Sequence, residues 1–234
     1  MTNIAIIPAR GGSKRIPRKN IKDFLGKPMI SYAIKAARDS GLFSRIIVST
    51  EDQEIASVAE SFGAKVPRLR PAELADDYTA SGDVISSELK WLQSQGLNAD
   101  YCCCIYATVP LLRSSDLIQC LNKMKEEGKS WGYPLCGYPF PIWRSCKIEN
   151  GSPKPIWPEN MPKRSQDLPE AYHDAGMFYW GTVEAWLTGK PSFWEDFTYP
   201  LIIPRHLVMD IDTPEDWHSA ELMYQLINST QAEQ

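Results

Sequence analysis

Two short stretches of this sequence carry most of its capacity for chemistry. The first is Pro8-Ala-Arg-Gly-Gly-Ser-Lys-Arg-Ile-Pro-Arg-Lys-Asn20. From Ala9 to Lys27 there are seven cations (Arg10, Lys14, Arg15, Arg18, Lys19, Lys22, Lys27) and one anion, Asp23. The whole chain has a formal charge of -4, so the cluster is a local device suited to a small anionic ligand. Gly11 and Gly12 allow positive φ and close backbone approach, so successive N–H groups can cup phosphate oxygens. Lysine and arginine can neutralise those oxygens, arginine bidentately. The loop has no Gly-Lys-Ser/Thr of a Walker A motif and no GxGxxG. A solvated basic turn is the plain alternative, and the cation density argues against it.

The second stretch is Asp210-Ile-Asp212. Read as the end of a strand, His206 to Ile211, it puts both carboxylates on one face, about 7 Å apart. Two hard carboxylates with open positions suit Mg²⁺ shared with substrate phosphates. Helix capping is the alternative, because Asp212 and Thr213 precede a helix. Two weaker candidates follow. Arg70, in Arg70-Pro-Ala-Glu-Leu-Ala75, could hold a phosphate or a base edge, or be a surface arginine. His173 and Asp174 stand just before a strand and could bind sugar hydroxyls or the metal shell, although a lone histidine is more often structural.

These residues need a scaffold, and the hydrophobic pattern predicts one. Asn3 to Pro8 reads as a central parallel strand buried on both faces. A helix is expected over Pro28 to Ser40, stopped by Gly41. A strand follows at Arg45 to Ser49, then a helix from a Thr50–Gln53 capping box to about Phe62, and a short strand at Ala64 to Pro67. Ser81 is expected to cap a helix to about Gln95. Tyr101 to Tyr106 reads as a strand and Ser115 to Glu127 as a helix. This alternation implies an α/β fold with a doubly wound, mostly parallel sheet. Between Trp131 and Pro169 lie eight of the 18 prolines, too many for a central strand. An inserted antiparallel lobe over about 131–170 is the expectation, with its aromatics on a lid or a subunit interface. The sheet resumes with a strand at Ala175 to Trp180 and a helix at Thr182 to Leu187. After the last strand, Thr213 caps a final helix with Pro214 in its first turn. The chain from 1 to 234 is expected to form one such unit.

Other classes are disfavoured. No stretch approaches the ~20 apolar residues of a membrane helix. The N-terminus lacks a basic-then-apolar leader. The six cysteines show no CxxC pair and read as buried, reduced thiols. A cytoplasmic protein that binds neither nucleic acid nor membrane is the expectation.

In this order, the pieces resemble the acylneuraminate cytidylyltransferase family. The resemblance rests on Arg10, Ser13, Lys14, Pro17, Lys19 and Asn20 in the basic loop. It also rests on Ile46-Ile-Val-Ser-Thr50, Arg70-Pro-Ala-Glu-Leu-Ala75, Arg113 and Asp210-Ile-Asp-Thr213, and it spans nearly the whole chain. It implies a nucleotide-diphospho-sugar transferase-like, Rossmann-like fold and a homodimer whose inserted lobe reaches the partner's site. It also implies CTP and a nonulosonic acid as substrates. Sialate-specific members carry Leu-Gln-Pro-Thr-Ser-Pro after the fourth strand and Arg-Pro-Asn-Gly later. Here Ile105-Tyr-Ala-Thr-Val-Pro110 and His173-Asp-Ala-Gly176 stand instead, and both are similar to the pseudaminate branch. A less polar sugar tail suits an aromatic pocket, where a glutamine would lose its hydroxyl partner.

The resemblance implies roles. Ala9, Arg10, Gly11, Gly12, Ser13 and Lys19 would contact the nucleotide, with Arg10, Ser13 and Lys19 cradling the triphosphate. Asn20, Arg70 and Ser81 would bind cytidine. Tyr106, Thr108, His173 and Asp174 would face the sugar, and Arg164 its carboxylate. Asp210 and Asp212 would hold Mg²⁺, leaving Arg10, Lys19 and Asp212 as the catalytic set. The rivals are a glycosyltransferase using a DxD-bound nucleotide sugar and a non-catalytic nucleotide-binding protein.

Overall fold

In a computed structural model of the chain, residues 1–189 and 195–232 are described. The strands are β1 (Asn3–Pro8), the two-residue pair β2 (Asp23–Phe24) and β3 (Lys27–Pro28), β4 (Arg45–Ser49), β5 (Tyr101–Ile105), β6 (Trp131–Gly137), β7 (Cys146–Glu149), β8 (Ser152–Pro155), β9 (Tyr172–Asp174), β10 (Phe178–Thr182) and β11 (Thr198–Ile202). The helices are α1 (Ile30–Asp39), α2 (Gln53–Ser61), α3 (Ser81–Ser94), α4 (Ser114–Glu126), α5 (Val183–Thr188) and α6 (Pro214–Ala232).

A seven-stranded sheet has the order β11-β6-β10-β5-β1-β4, with β9 beside β6. Strands β4, β1, β5, β6 and β11 run one way, and β10 and β9 the other. The α/β, mostly parallel reading therefore holds. Parallel strands need both faces covered. Alternation along β1 sends Ala5 and Ile7 to the face under α1, α2 and α4, and Ile4 and Ile6 to the face under α3. The consecutive cysteines obey the same rule. Cys103 packs on the first face, Cys102 and Cys104 on the second. Five cysteines are buried thiols; Cys146 is exposed.

Several expectations need correction. Trp131 to Gly137 is not lobe but β6, inside the sheet. Pro134 is tolerated because it falls where β6 changes partner. Its ladder with β10 lies at Trp131 and Gly132, and that with β9 begins at Leu135. The Pro134 carbonyl accepts from the Ala175 N–H at 3.1 Å. The antiparallel insertion is therefore shorter, with the hairpin β7–β8 at its tip. The expected strand at Ala64 to Pro67 is only an isolated bridge, Ile47 to Lys65. The strand read at Ala175 to Trp180 is β10, three residues later. No strand forms over His206 to Ile211; a 3₁₀ turn spans Arg205–Leu207, and the last strand is β11. Pro28 belongs to β3, with α1 starting after Met29. Asp52, not Thr50, caps α2, accepting from the N–H groups of Glu54 and Ile55. Thr213 does cap α6: its hydroxyl accepts from the Asp216 N–H at 3.2 Å, and Asp216 accepts from the Thr213 N–H at 2.7 Å. Among the described residues no helix is long and apolar enough to cross a membrane.

Gly181 on β10 marks the tightest packing. A Cβ there would lie 2.6 Å from the Trp131 ring and 2.6 Å from Trp186 Nε1. The two indoles meet edge to face at 4.8 Å and leave no room to give. Gly181→Ala should cost about 1–3 kcal/mol by overpacking. A urea denaturation midpoint equal to that of the parent would contradict this.

Candidate active site

The loops after β1, β4 and β5 leave the same edge of the sheet, where open α/β folds bind ligands. A cavity of about 330 Å³ opens there. Arg10, Ser13, Lys14, Arg15, Lys19 and Asn20 line it from the first loop, Arg70 from beyond β4, and Tyr106 and Thr108 from beyond β5. Ser81 and Asp212 complete the wall. Most of the residues singled out in the sequence thus share one cavity.

The loop is fixed from three sides. Asn20 is buried, and its side-chain amide donates to the Arg10 carbonyl at 2.8 Å. It braces the loop and does not offer that N–H to a base, as had been expected. Ile16 is buried with Ile211, Phe24, Met29, Tyr32 and Trp217. That cluster brings the Asp210–Asp212 segment against the loop, so Lys19 Nζ reaches the Ile211 carbonyl at 2.7 Å and Asp212 Oδ1 at 3.4 Å. Arg15 pairs with the same Asp212 oxygen at 2.8 Å.

The third side is the start of α2, which sequence reading missed. The Gly11 N–H donates to Glu51 Oε1 at 2.7 Å. A Cβ on Gly11 would lie 2.6 Å from Asp52 Oδ2. Glycine is therefore needed for close approach to Asp52, and neither Gly11 nor Gly12 has a positive φ. Arg18 takes the left-handed conformation instead, at φ 56°. Its guanidinium grips Asp52 with both terminal nitrogens and also reaches Glu54. That contact is the first cause holding the Asp52 carboxyl down to about 2. Three of the residues expected at the nucleotide, Ala9, Gly11 and Gly12, do not line the cavity. The Gly11 N–H is turned from the cavity, and Ala9 is buried with its N–H on the Ser49 carbonyl at 2.9 Å.

Arg70 is 6% exposed. It donates to Ser49 Oγ at 3.0 Å and to the Ser49 carbonyl. Burial lowers its pKa, with Glu51 and Glu88 opposing. It forms the cavity floor and is not a surface arginine. Ser81 is the first residue of α3, with no side-chain cap bond. Its hydroxyl meets Tyr106 Oη at 3.4 Å, so the two residues form a wall. Behind it lies a second cavity of about 660 Å³, reached by Tyr106, Asp174 and Tyr179. Asp174 accepts from Tyr179 Oη at 2.8 Å and from the Gly176 N–H at 2.8 Å.

Three expected residues stand apart. His173 lines neither cavity; Nδ1 is 2.9 Å from the Asp174 carbonyl, and the ring packs on Tyr138 at 4.9 Å. Arg164 is exposed in the insertion, paired with Asp167 at 2.7 and 2.9 Å. Asp210 does not itself line the cavity and is in no strand, but its charge is felt by Asp212, Lys19 and Arg15, which do. Its carboxyl is held above the usual range, first by the protein around it and then by the Asp212 charge.

These features place a cation-lined cavity with a carboxylate at its mouth on one sheet edge, and beside it an aromatic chamber between α3 and α5. The sequence profile described as Cytidylyltransferase matches residues 4–155. The chain belongs to the cytidylyltransferase family. It is 44% identical over 232 residues to the pseudaminic acid cytidylyltransferase of Campylobacter jejuni, covering 97% of each chain. It is 33% identical over 231 residues, 97% of each chain, to the CMP-N,N'-diacetyllegionaminic acid synthase of Legionella pneumophila. Among solved structures, CMP:2-keto-3-deoxy-manno-octonic acid synthetase complexed with CTP shares the fold. The TM-score is 0.71 at 17% identity, over 96% of this chain and 99% of that one.

Asp76 and Asp77 had no local signature. Asp77 closes over the loop, with Oδ1 2.6 Å from Arg10 Nη1 and Oδ2 on Lys14 Nζ. The Asp76 carbonyl accepts from Arg10 at 3.0 Å. Two loop cations thus share one carboxylate inside the cavity. Asp77→Ala should tighten binding of inorganic tripolyphosphate about three- to tenfold, by removing a like charge from an exposed site. Calorimetry at low salt checks this, and an unchanged or weaker affinity would contradict it.

Proposed function

We propose that this cytidylyltransferase transfers CMP from CTP to a nonulosonic acid, pseudaminic acid before others. The anomeric hydroxyl attacks the α-phosphorus, the sugar oxygen–phosphorus bond forms, and pyrophosphate leaves. The observation that carries the reading is the wall of Ser81 and Tyr106. It separates a cation-lined chamber sized for a nucleotide from an aromatic chamber holding Asp174. Tyr106 stands where sialate-specific members carry glutamine, and the 44% identical relative is named for pseudaminic acid.

Such a transfer needs positioning and charge neutralisation more than covalent help. Arg10 and Lys19 stand ready to hold the triphosphate, with Lys19 fixed by the Ile211 carbonyl so that its charge is preorganised. Arg70, immobilised on Ser49, gives the floor a fixed set of donors. The Asp174 carboxylate, oriented by Tyr179 and Gly176, accepts from sugar donors.

Asp210 and Asp212 are the residues that would hold Mg²⁺. Burial first, and then the nearby Asp212 charge, hold the Asp210 carboxyl up, and a divalent cation would favour both carboxylates in their charged form. Among the described residues no group of three His, Cys, Asp or Glu gathers, so substrate oxygens would supply further ligands. Bound there, the cation would neutralise phosphate charge and lower the pKa of a coordinated oxygen. We further propose a cytoplasmic homodimer. Phe140 is 80% exposed beside the insertion, and Arg164 from that insertion would reach a sugar carboxylate across the interface.

Incubation with CTP, Mg²⁺ and a panel of nonulosonic acids should release pyrophosphate fastest with pseudaminic acid. A preference for N-acetylneuraminic or legionaminic acid would move the acceptor within the family. Release of nucleoside diphosphate from a nucleotide sugar would favour the glycosyltransferase reading, and nucleotide binding without turnover a non-catalytic one. Lys19→Ala should lower turnover by roughly 10- to 1,000-fold, the range for a preorganised charge. Asp212→Ala should abolish Mg²⁺-dependent pyrophosphate release with circular dichroism unchanged. Full activity in either variant removes that residue from the machinery.

A further inference from the structure

We infer that Glu51 is a positioning residue for the phosphate loop, acting through the Gly11 N–H. The inference rests on the phosphate-loop part of the proposed function. A carboxylate beside a triphosphate site is electrostatically adverse, so its presence calls for a reason. Glu51 Oε1 accepts from Gly11 at 2.7 Å. Glu51 Oε2 is buried with no hydrogen-bond partner. That arrangement is costly unless the first oxygen's contact matters.

The surrounding geometry gives the contact its consequence. Gly11 has Asp52 in the space of its missing Cβ. Asp52 is itself locked by Arg18, which takes a φ of 56° to reach it. Asn20 holds the Arg10 carbonyl on the other side of the same peptide. The peptide joining Arg10 to Gly11 is thus held at both its C=O and its N–H. One end fixes Arg10, which lines the cavity, and the other turns Gly11 out of it. Ser13, whose N–H donates to the Gly11 carbonyl at 3.0 Å, follows that orientation into the cavity wall. Without the Glu51 acceptor the peptide is held at its C=O alone, and Arg10 and Ser13 lose part of their common register.

Charge and position make opposite predictions, which lets a substitution series separate them. Glu51→Gln keeps an oxygen at the right reach and removes the charge. Glu51→Asp keeps the charge and falls one methylene short. Positioning predicts that Glu51→Gln binds inorganic tripolyphosphate within about threefold of the parent or tighter, while Glu51→Asp binds about tenfold weaker. Electrostatics alone predicts Glu51→Asp equal to the parent and Glu51→Gln tighter. The measurement is isothermal titration calorimetry with tripolyphosphate on the full chain, with thermal melting on the same samples. Glu51→Asp equal to the parent, or Glu51→Gln as weak as Glu51→Asp, overturns the inference. The same holds if melting falls in both variants without a change in affinity, the mark of a purely structural role. Tripolyphosphate binding needs no turnover, so failure to transfer CMP would sink the proposed function while leaving this order of affinities intact.

Discussion

The contact on which the site depends is apolar. Ile16 and Ile211 are buried in one cluster with Phe24, Met29, Tyr32, Trp217 and Ala220. A loop with seven cations repels itself and has little reason to settle in one shape. Burying an isoleucine in its middle contributes about 2 kcal/mol toward doing so. The same burial drags the segment around Ile211 onto the loop. Asp212 meets Lys19 and Arg15 because the residue before it is inside the protein, not because opposite charges sought each other in water, where they are worth little.

The second organising rule is how the acids are sorted. Behind the loop, Glu51, Asp52 and Glu54 take a backbone N–H and one arginine, all from the first turn of α2 and the residues leading into it. In front, Asp77 and Asp212 engage the cations that line the cavity. The acids behind are built into the scaffold; those in front lie where a ligand enters. A net negative chain therefore contains a basic pocket whose charges are almost all matched before any substrate arrives.

Much of this was legible in the sequence, for local reasons. β1, β4, β5 and α4 announce themselves through alternation and glycine stops, and the capping of α6 by Thr213 is written in Thr213-Pro-Glu-Asp216. The basic loop needed only counting. What escaped reading depends on tertiary context. β6 was hidden because a proline rule is stated for strands with two continuous partners, and Pro134 sits where the partner changes. β11 gave way to a strand imagined over His206 to Ile211, of which Met209 and Ile211 in fact feed the cluster around Trp217. Arg70 could be read either as a ligand-binding or as a surface arginine, because nothing local shows Ser49 beneath it. Asp77 lies 67 residues from Arg10, and no pattern in the chain links them. Glu51 was findable, since it follows a parallel strand at the binding edge, but a carboxylate is not what one seeks beside phosphate.

Asp77 has a kinetic consequence. An uncovered cationic loop would steer nucleotides from about a Debye length away, and its capture rate would fall steeply with salt. With Asp77 sharing its single charge between Arg10 and Lys14, the field beyond the cavity mouth is weakened. Encounter is then less strongly steered and less dependent on ionic strength, and the step that commits a nucleotide is the exchange of one carboxylate for phosphate. Discrimination moves from long-range attraction to the moment of exchange, when a ligand must offer enough oxygens in the right places to outbid Asp77.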